Sequence, residues 1–317
     1  MSTTYPISPT TDPSRAGRTT AESPFDREPL PMGRMFHAYR MEAKFELLGA
    51  LRTTGFAIPF IAVPVAIYLL FGVVISGNAG SSSEYGPGIA NYLFTGFSVL
   101  AASMPGIFCG VILAQERDGN LQQLKRALPL PPGATIIAKV LMAMGIAAIA
   151  VTLVVAVALA AGKLTISTGQ VAVIWAVLIV GTIPFSAMGL LIGSFSSASA
   201  APAYGNLVFL PMMWLSGLFI PLPDFLERWV IIWPTFHLNQ LALGLAGVEQ
   251  FTFIPPAFAG GVLVGVTVLF GGLAIRRLAR VGGGMATAMN GPDYVESASR
   301  KKRIDLRCKA KNYERHG

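Results

Sequence analysis

Charge is scarce in this chain, and so are the side chains that most often carry chemistry. Asp, Glu, Lys and Arg make up 13% of its 317 residues, about half of the roughly 25% found in soluble domains. Hydrophobic residues reach 53%, which excludes a water-soluble globular protein and points to a polytopic membrane protein. The three histidines, His37, His237 and His316, stand far apart, so no metal cluster or nucleophile–base pair has recognisable spacing. The two cysteines are Cys109 in an apolar run and Cys308 in a basic tail. They fall at different depths, so neither a disulfide nor a CxxC metal site is expected. A nucleotide loop is lacking too. Gly162-Lys163-Leu164-Thr165 suggests one superficially, but Val157 stands where GxxxxGK[ST] needs its first glycine, and Leu164 follows the lysine in place of Ser or Thr. The first fifty residues are polar, so no cleavable signal peptide is expected.

What the chain does have is long apolar runs. Six of them, Phe56–Ile75, Ile89–Leu113, Val140–Ala161, Val171–Ile192, Ala201–Ile220 and Ile254–Ile275, are each near the ~20 residues that cross a ~30 Å hydrocarbon core. The expected fold is all-α, with six transmembrane helices. None of the runs holds a charge between its ends. Ion-coupled carriers place ionisable groups at membrane depth to bind the coupling ion, so an energy source outside the membrane part is expected. The pairs Gly106/Gly110, Gly189/Gly193 and Gly261/Gly265 suit close helix packing.

The basic residues lie on one side. Arg34, Arg40, Lys44, Arg52, Arg117, Lys125, Arg126, Lys139, Arg276, Arg277 and Arg280 share a face, whereas the opposite loops hold only Lys163 and Arg228. The positive-inside rule then makes both termini and the 115–139 loop cytoplasmic. Residues 1–32, rich in Ser, Thr, Pro and Arg, read as a disordered cytoplasmic N-terminus. Residues 33–53 read as an amphipathic helix on the cytoplasmic surface, with Ala38, Met41, Phe45 and Leu48 on its apolar face, or as a solvated extension of the first span. The transmembrane domain is expected over 54–276. Residues 277–317 follow as a basic tail with eleven Lys/Arg against four Asp/Glu from 276 onward. It is expected to be disordered after Gly282-Gly283-Gly284. A tail of this kind suits anionic lipid, or simple solubility, better than nucleic acid.

Between the second and third runs, Gln115–Lys139 packs Glu116, Arg117, Asp118, Lys125, Arg126 and Lys139 into a short polar interval. Glu116–Leu128 has helix-forming composition, with Leu121, Leu124 and Leu128 on one stripe. Pro129, Pro131 and Pro132 end it. The interval is either a helix that receives a push from a soluble partner or an ordinary charged turn. Its residues Glu116, Arg117, Gly119, Leu121, Leu124, Pro129, Leu130 and Lys139 resemble the cytoplasmic loop of bacterial ABC export permeases of the second type. A second similarity lies in Ser216-Gly217, Pro221, Pro223 and Pro234, which follow the family's fifth-span and outer-loop pattern. The resemblance covers roughly Gly33–Arg280.

The resemblance implies a permease subunit in the bacterial plasma membrane. It implies a coupling helix between spans 2 and 3 that docks on a separate ABC ATP-binding subunit, and re-entrant outer helices between spans 5 and 6. It implies no cofactor on the chain itself, since ATP binds the partner, and a second permease copy to enclose the pathway. Charge-free spans suit an amphiphile such as a drug, a lipid or a lipid-linked glycan. A membrane scaffold or assembly factor that energises nothing remains the alternative reading.

Overall fold

The structure, a computed structural model, describes residues 32–75, 88–119, 133–162, 164–219, 229–248 and 251–289. Among these the chain is all-helical. The helices are α1 (Met32–Arg52), α2 (Thr54–Tyr68, continued as a π-helix over Leu69–Ile75), α3 (Ile89–Asp118), α4 (Ala134–Ala160), α5 (Thr168–Val180), α6 (Thr182–Phe195), α7 (Ala201–Trp214), α8 (Pro234–Ala246) and α9 (Pro256–Met289).

Helix α3 is the axis of the bundle. From Asn91 to Ala114 it is buried almost without a break, and α2, α4, α6, α7 and α8 all pack on it. Its closest neighbour is α6, and glycine explains the closeness. A Cβ on Gly110 would stand 1.8 Å from the Gly189 carbonyl oxygen, and one on Gly193 would stand 2.2 Å from that of Gly110. With no hydrophobic drive between helices in lipid, backbone approach of this kind is what van der Waals packing needs. Two of the three glycine pairs read from sequence therefore form a real contact. Gly261 and Gly265 do not, for nothing lies within 4 Å of where their Cβ atoms would be.

Five helical segments are long and apolar enough to cross a membrane: Thr54–Val74, Ile89–Asp118, Ala134–Ala160, Thr168–Phe195 and Pro256–Arg280. The fourth is one span made of two helices, α5 and α6, broken at Gly181. Ser and Thr hydroxyls take up backbone carbonyls around the break, Thr182 bonding to Leu178 O at 3.3 Å and Ser186 to Thr182 O at 3.0 Å. The expected span Ala201–Ile220 differs. Its helix α7 holds 14 residues, about 21 Å at 1.5 Å per residue, short of the ~30 Å core. Turns replace helix from Leu215 onward, where Gly217 takes a φ of +64°.

Two further expectations change. The last helix runs on through Gly282-Gly283-Gly284 to Met289 instead of giving way to an irregular tail. Helix α1 also docks on the bundle. Phe45 and Leu48 of its apolar face stay exposed, while Glu46 and Ala50 are buried against the bundle, chiefly on α4. The docking side is mixed, with Leu47, Ala50 and Leu51 beside Glu46.

Candidate functional site

The two ends of the bundle are held by different chemistry. At the end that carries residues 120–132 the bonds are ionic. Lys139 lies in the second turn of α4 and has no exposed surface. Its Nζ stands 3.1 Å from Glu46 Oε2 on α1 and 2.9 Å from Glu116 Oε2 on α3. A buried ammonium is tolerable only when paired and hydrogen-bonded. This one joins three helices at a single point. Next to it, Arg117 donates from Nη1 to Gly193 O at 2.7 Å, and Arg277 of α9 donates from Nε to Ser194 O at 3.3 Å. Both carbonyls lie in the last turn of α6, where they lack intrahelical partners and the helix dipole favours a cation. The Arg277 guanidinium also lies 5.8 Å from the centre of the Phe195 ring. Asp118 Oδ2 accepts from Ala198 N at 2.6 Å, gripping the turn that leads into α7. The residues that flank 120–132 thus hold α1, α3, α4, α6 and the start of α7 together.

Glu116 and Arg117 were expected to open a separate coupling helix. They sit in the last turn of α3, which no residue stops before Gly119. A carboxylate at a helix C-terminus opposes the dipole, and Lys139 compensates for it. Leu121, Leu124, Leu128, Pro129 and Leu130 lie outside the described residues. Glu46 was not singled out as a site residue. Its signal was the inward row Glu42, Glu46 and Ala50, spaced i, i+4 and i+8 on one side of α1.

At the opposite end the bonds among the described residues are neutral. The Gly217 carbonyl accepts from the Tyr92 hydroxyl and from Asn239 Nδ2, the latter at 3.4 Å. Ser216 bonds to Met212 O and to the Thr235 hydroxyl, while Thr235 donates to Met212 O at 3.0 Å. The Ser216-Gly217 pair therefore clamps the broken end of α7 to the first turn of α8. Pro234 opens α8, where a missing N–H costs nothing. Pro221 and Pro223 lie outside the described residues. Asn91 pairs with Thr165, through Nδ2 to Oγ1 at 2.7 Å and through Oδ1 to the backbone N at 3.2 Å. Gln170 reaches Leu245 O at 3.3 Å. Gln240 bonds both Phe251 O, at 3.0 Å, and Phe253 N, at 2.7 Å. His237 is fully buried, its Nε2 2.8 Å from Ile231 O.

The break at the end of α7, clamped to α8, thus stands opposite the ionic junction at Lys139. The sequence profile of the ABC-2 type transporter family matches residues 38–253. The chain belongs to that family. YvfS of Bacillus subtilis (strain 168), named as a transport permease, is 24% identical over 203 residues, covering 62% of this chain and 80% of the relative. This ABC-2 chain is accordingly a multi-pass membrane protein and a transport permease. The matched region includes both the ionic junction and the Ser216-Gly217 clamp. Among the described residues no group of His, Cys, Asp and Glu could hold a metal ion.

Proposed function

We propose that this permease is the membrane subunit of an ATP-driven exporter that moves an amphiphile from the cytoplasm or inner leaflet outward. ATP would be bound and hydrolysed by a separate ABC subunit, and the permease would carry no cofactor of its own. The observation that carries the proposal is the ion-linked junction at Lys139. A push on the 120–132 loop from a partner would reach α1, α3 and α4 through the carboxylates of Glu46 and Glu116, and α6 through Arg117. A second permease would complete the pathway, since α7 and α9 leave apolar side chains such as Leu207, Trp214, Val264 and Val268 exposed. The chain would sit in the plasma membrane with both termini in the cytoplasm. In that arrangement α7 is a sixth, interrupted crossing and α8 dips into the outer leaflet.

The test is co-purification with an ABC ATP-binding subunit, followed by ATPase assays with candidate amphiphiles. The permease alone is expected to hydrolyse no ATP. Leu124→Asp should insert at normal abundance yet lose partner binding or uncouple hydrolysis from export, because truncating a desolvated interface contact costs about 2 kcal/mol or more. Normal export by that variant would reduce the loop to a turn in the chain. Failure of any ATPase subunit to co-purify would favour the scaffold reading.

A further inference from the structure

Between the two halves of the fourth span, α8 and α9 lies an apolar groove of about 520 Å³. Its size falls within the roughly 300–1,000 Å³ of small-molecule sites. The groove sits at the break at Gly181. Toward the ionic end α9 is close on α6, where a Cβ on Gly271 would lie 3.7 Å from that of Ala187. Beyond the break α9 packs on α8, and a Cβ on Gly260 would meet nothing within 4 Å. Val180, Ile183, Leu238, Leu241 and Leu263 are among the described residues that line the groove. The hydroxyl of Thr267, also in the lining, donates to Leu263 O at 2.8 Å. Gly181 stands thirteen residues from Thr168 and fourteen from Phe195, about 20 Å from either end of the span. The groove therefore lies at hydrocarbon depth.

We propose that this groove binds the acyl chain of a membrane phospholipid. Polarity selects the ligand. Apart from Thr267 the described lining is Ala, Val, Ile, Leu, Pro and Gly. A ligand with polar groups at this depth would leave them unpaired, whereas a hydrocarbon chain has none to satisfy. Depth selects the source, for Val180, Val264 and Val268 stay exposed on two membrane spans, where hydrocarbon is the solvent. Size selects a chain over a helix. A helix is about 10–12 Å across, so each turn takes up about 500 Å³, and the groove would admit about one turn of a second copy. Such a copy would instead rest on the rim, at Val264 and Val268. A chain lying in the groove is touched on several sides, and van der Waals contact is a main drive between apolar groups in lipid. The site asks nothing of an ATP-binding subunit, so it stands or falls apart from the export reading.

The test uses the full chain in nanodiscs of phosphatidylcholine, doped with a trace of the same lipid carrying a diazirine at mid-chain. Peptide mass spectrometry then maps the photolabel. Val180 and Leu263 should be labelled about fivefold more than Ile149 and Leu153, which are exposed on α4, a ratio that about ten added carbon–carbon contacts supply. Gly260→Leu places a side chain in open space within the groove and should return labelling to the α4 level. Val264→Trp, at an exposed position on the rim, should do the same and covers the case in which Gly260→Leu folds poorly. Gly261→Leu, one residue along α9 and also facing open space, should leave labelling unchanged. Phosphatidylglycerol with the same label should give the same pattern, since the described walls carry no charge. Groove labelling no higher than on α4, labelling that survives both Gly260→Leu and Val264→Trp, or labelling with only one of the two headgroups would overturn the proposal. Groove residues labelled in monomers but protected in dimers would give the groove to a second copy, and would overturn it as well.

Discussion

Lys139 has no exposed surface, and its Nζ is held between the carboxylates of Glu46 and Glu116. Removing one partner of a buried ion pair typically costs about 3–5 kcal/mol, whereas replacing the whole set by neutral groups is often nearly free. Lys139→Met should therefore lower the thermal midpoint sharply in detergent, as read by fluorescence-detected size exclusion. Combining it with Glu46→Gln and Glu116→Gln should restore much of the loss. A second residue-scale prediction contrasts glycines. Gly110→Ala forces a methyl against the Gly189 carbonyl, and overpacking of this kind costs about 1–3 kcal/mol, so folded yield should fall. Gly261→Ala meets nothing within 4 Å and should leave yield unchanged. Lys139 was legible in the sequence as a lysine entering a span. Glu46 was not, because the apolar row of α1 already satisfied the helical period. A single period reports one face, and the face of this helix that docks differs from the apolar row Ala38, Met41, Phe45 and Leu48, whose Phe45 and Leu48 stay exposed.

At the scale of the element, the least regular part of the bundle is the end of α7 and its clamp onto α8. Three hydroxyls and an amide converge there on the carbonyls of Met212 and Gly217. Ser216→Ala and Thr235→Val should each cost about 1 kcal/mol. The double variant should cost less than the sum, because the two hydroxyls share Met212 O. Thermal melts of the three variants give the coupling directly. Additive losses would mean that the two bonds act separately. The long helices were legible because an apolar run of the right length has few alternatives in a membrane. Their ends were less so. Helix α3 continues past its apolar part to Asp118 because Gln115–Asp118 disfavours nothing helical until Gly119. Helix α7 stops early although its sequence remains apolar through Leu218 and Phe219. The positive φ at Gly217 and the carbonyls it frees are served by residues of α3 and α8, which lie far away in the chain.

For the whole molecule, the contrast between an ionic end and a neutral end, drawn among the described residues, agrees with the one-sided distribution of Lys and Arg. It yields a topology prediction. Single cysteines at Ser82 and Thr168 should react with an impermeant thiol reagent added outside cells, and one at Gln122 should not; the reverse pattern would turn the chain over. The central place of α3 has a consequence in time as well. It is among the first crossings to leave the ribosome, yet its glycine face, Gly106 and Gly110, waits for α6, which is made much later. Until then that face lies against lipid or against a membrane-inserted chaperone. A nascent chain arrested after Ala161 should therefore crosslink from Gly110 to such factors, and one arrested after Gly247 should crosslink to itself.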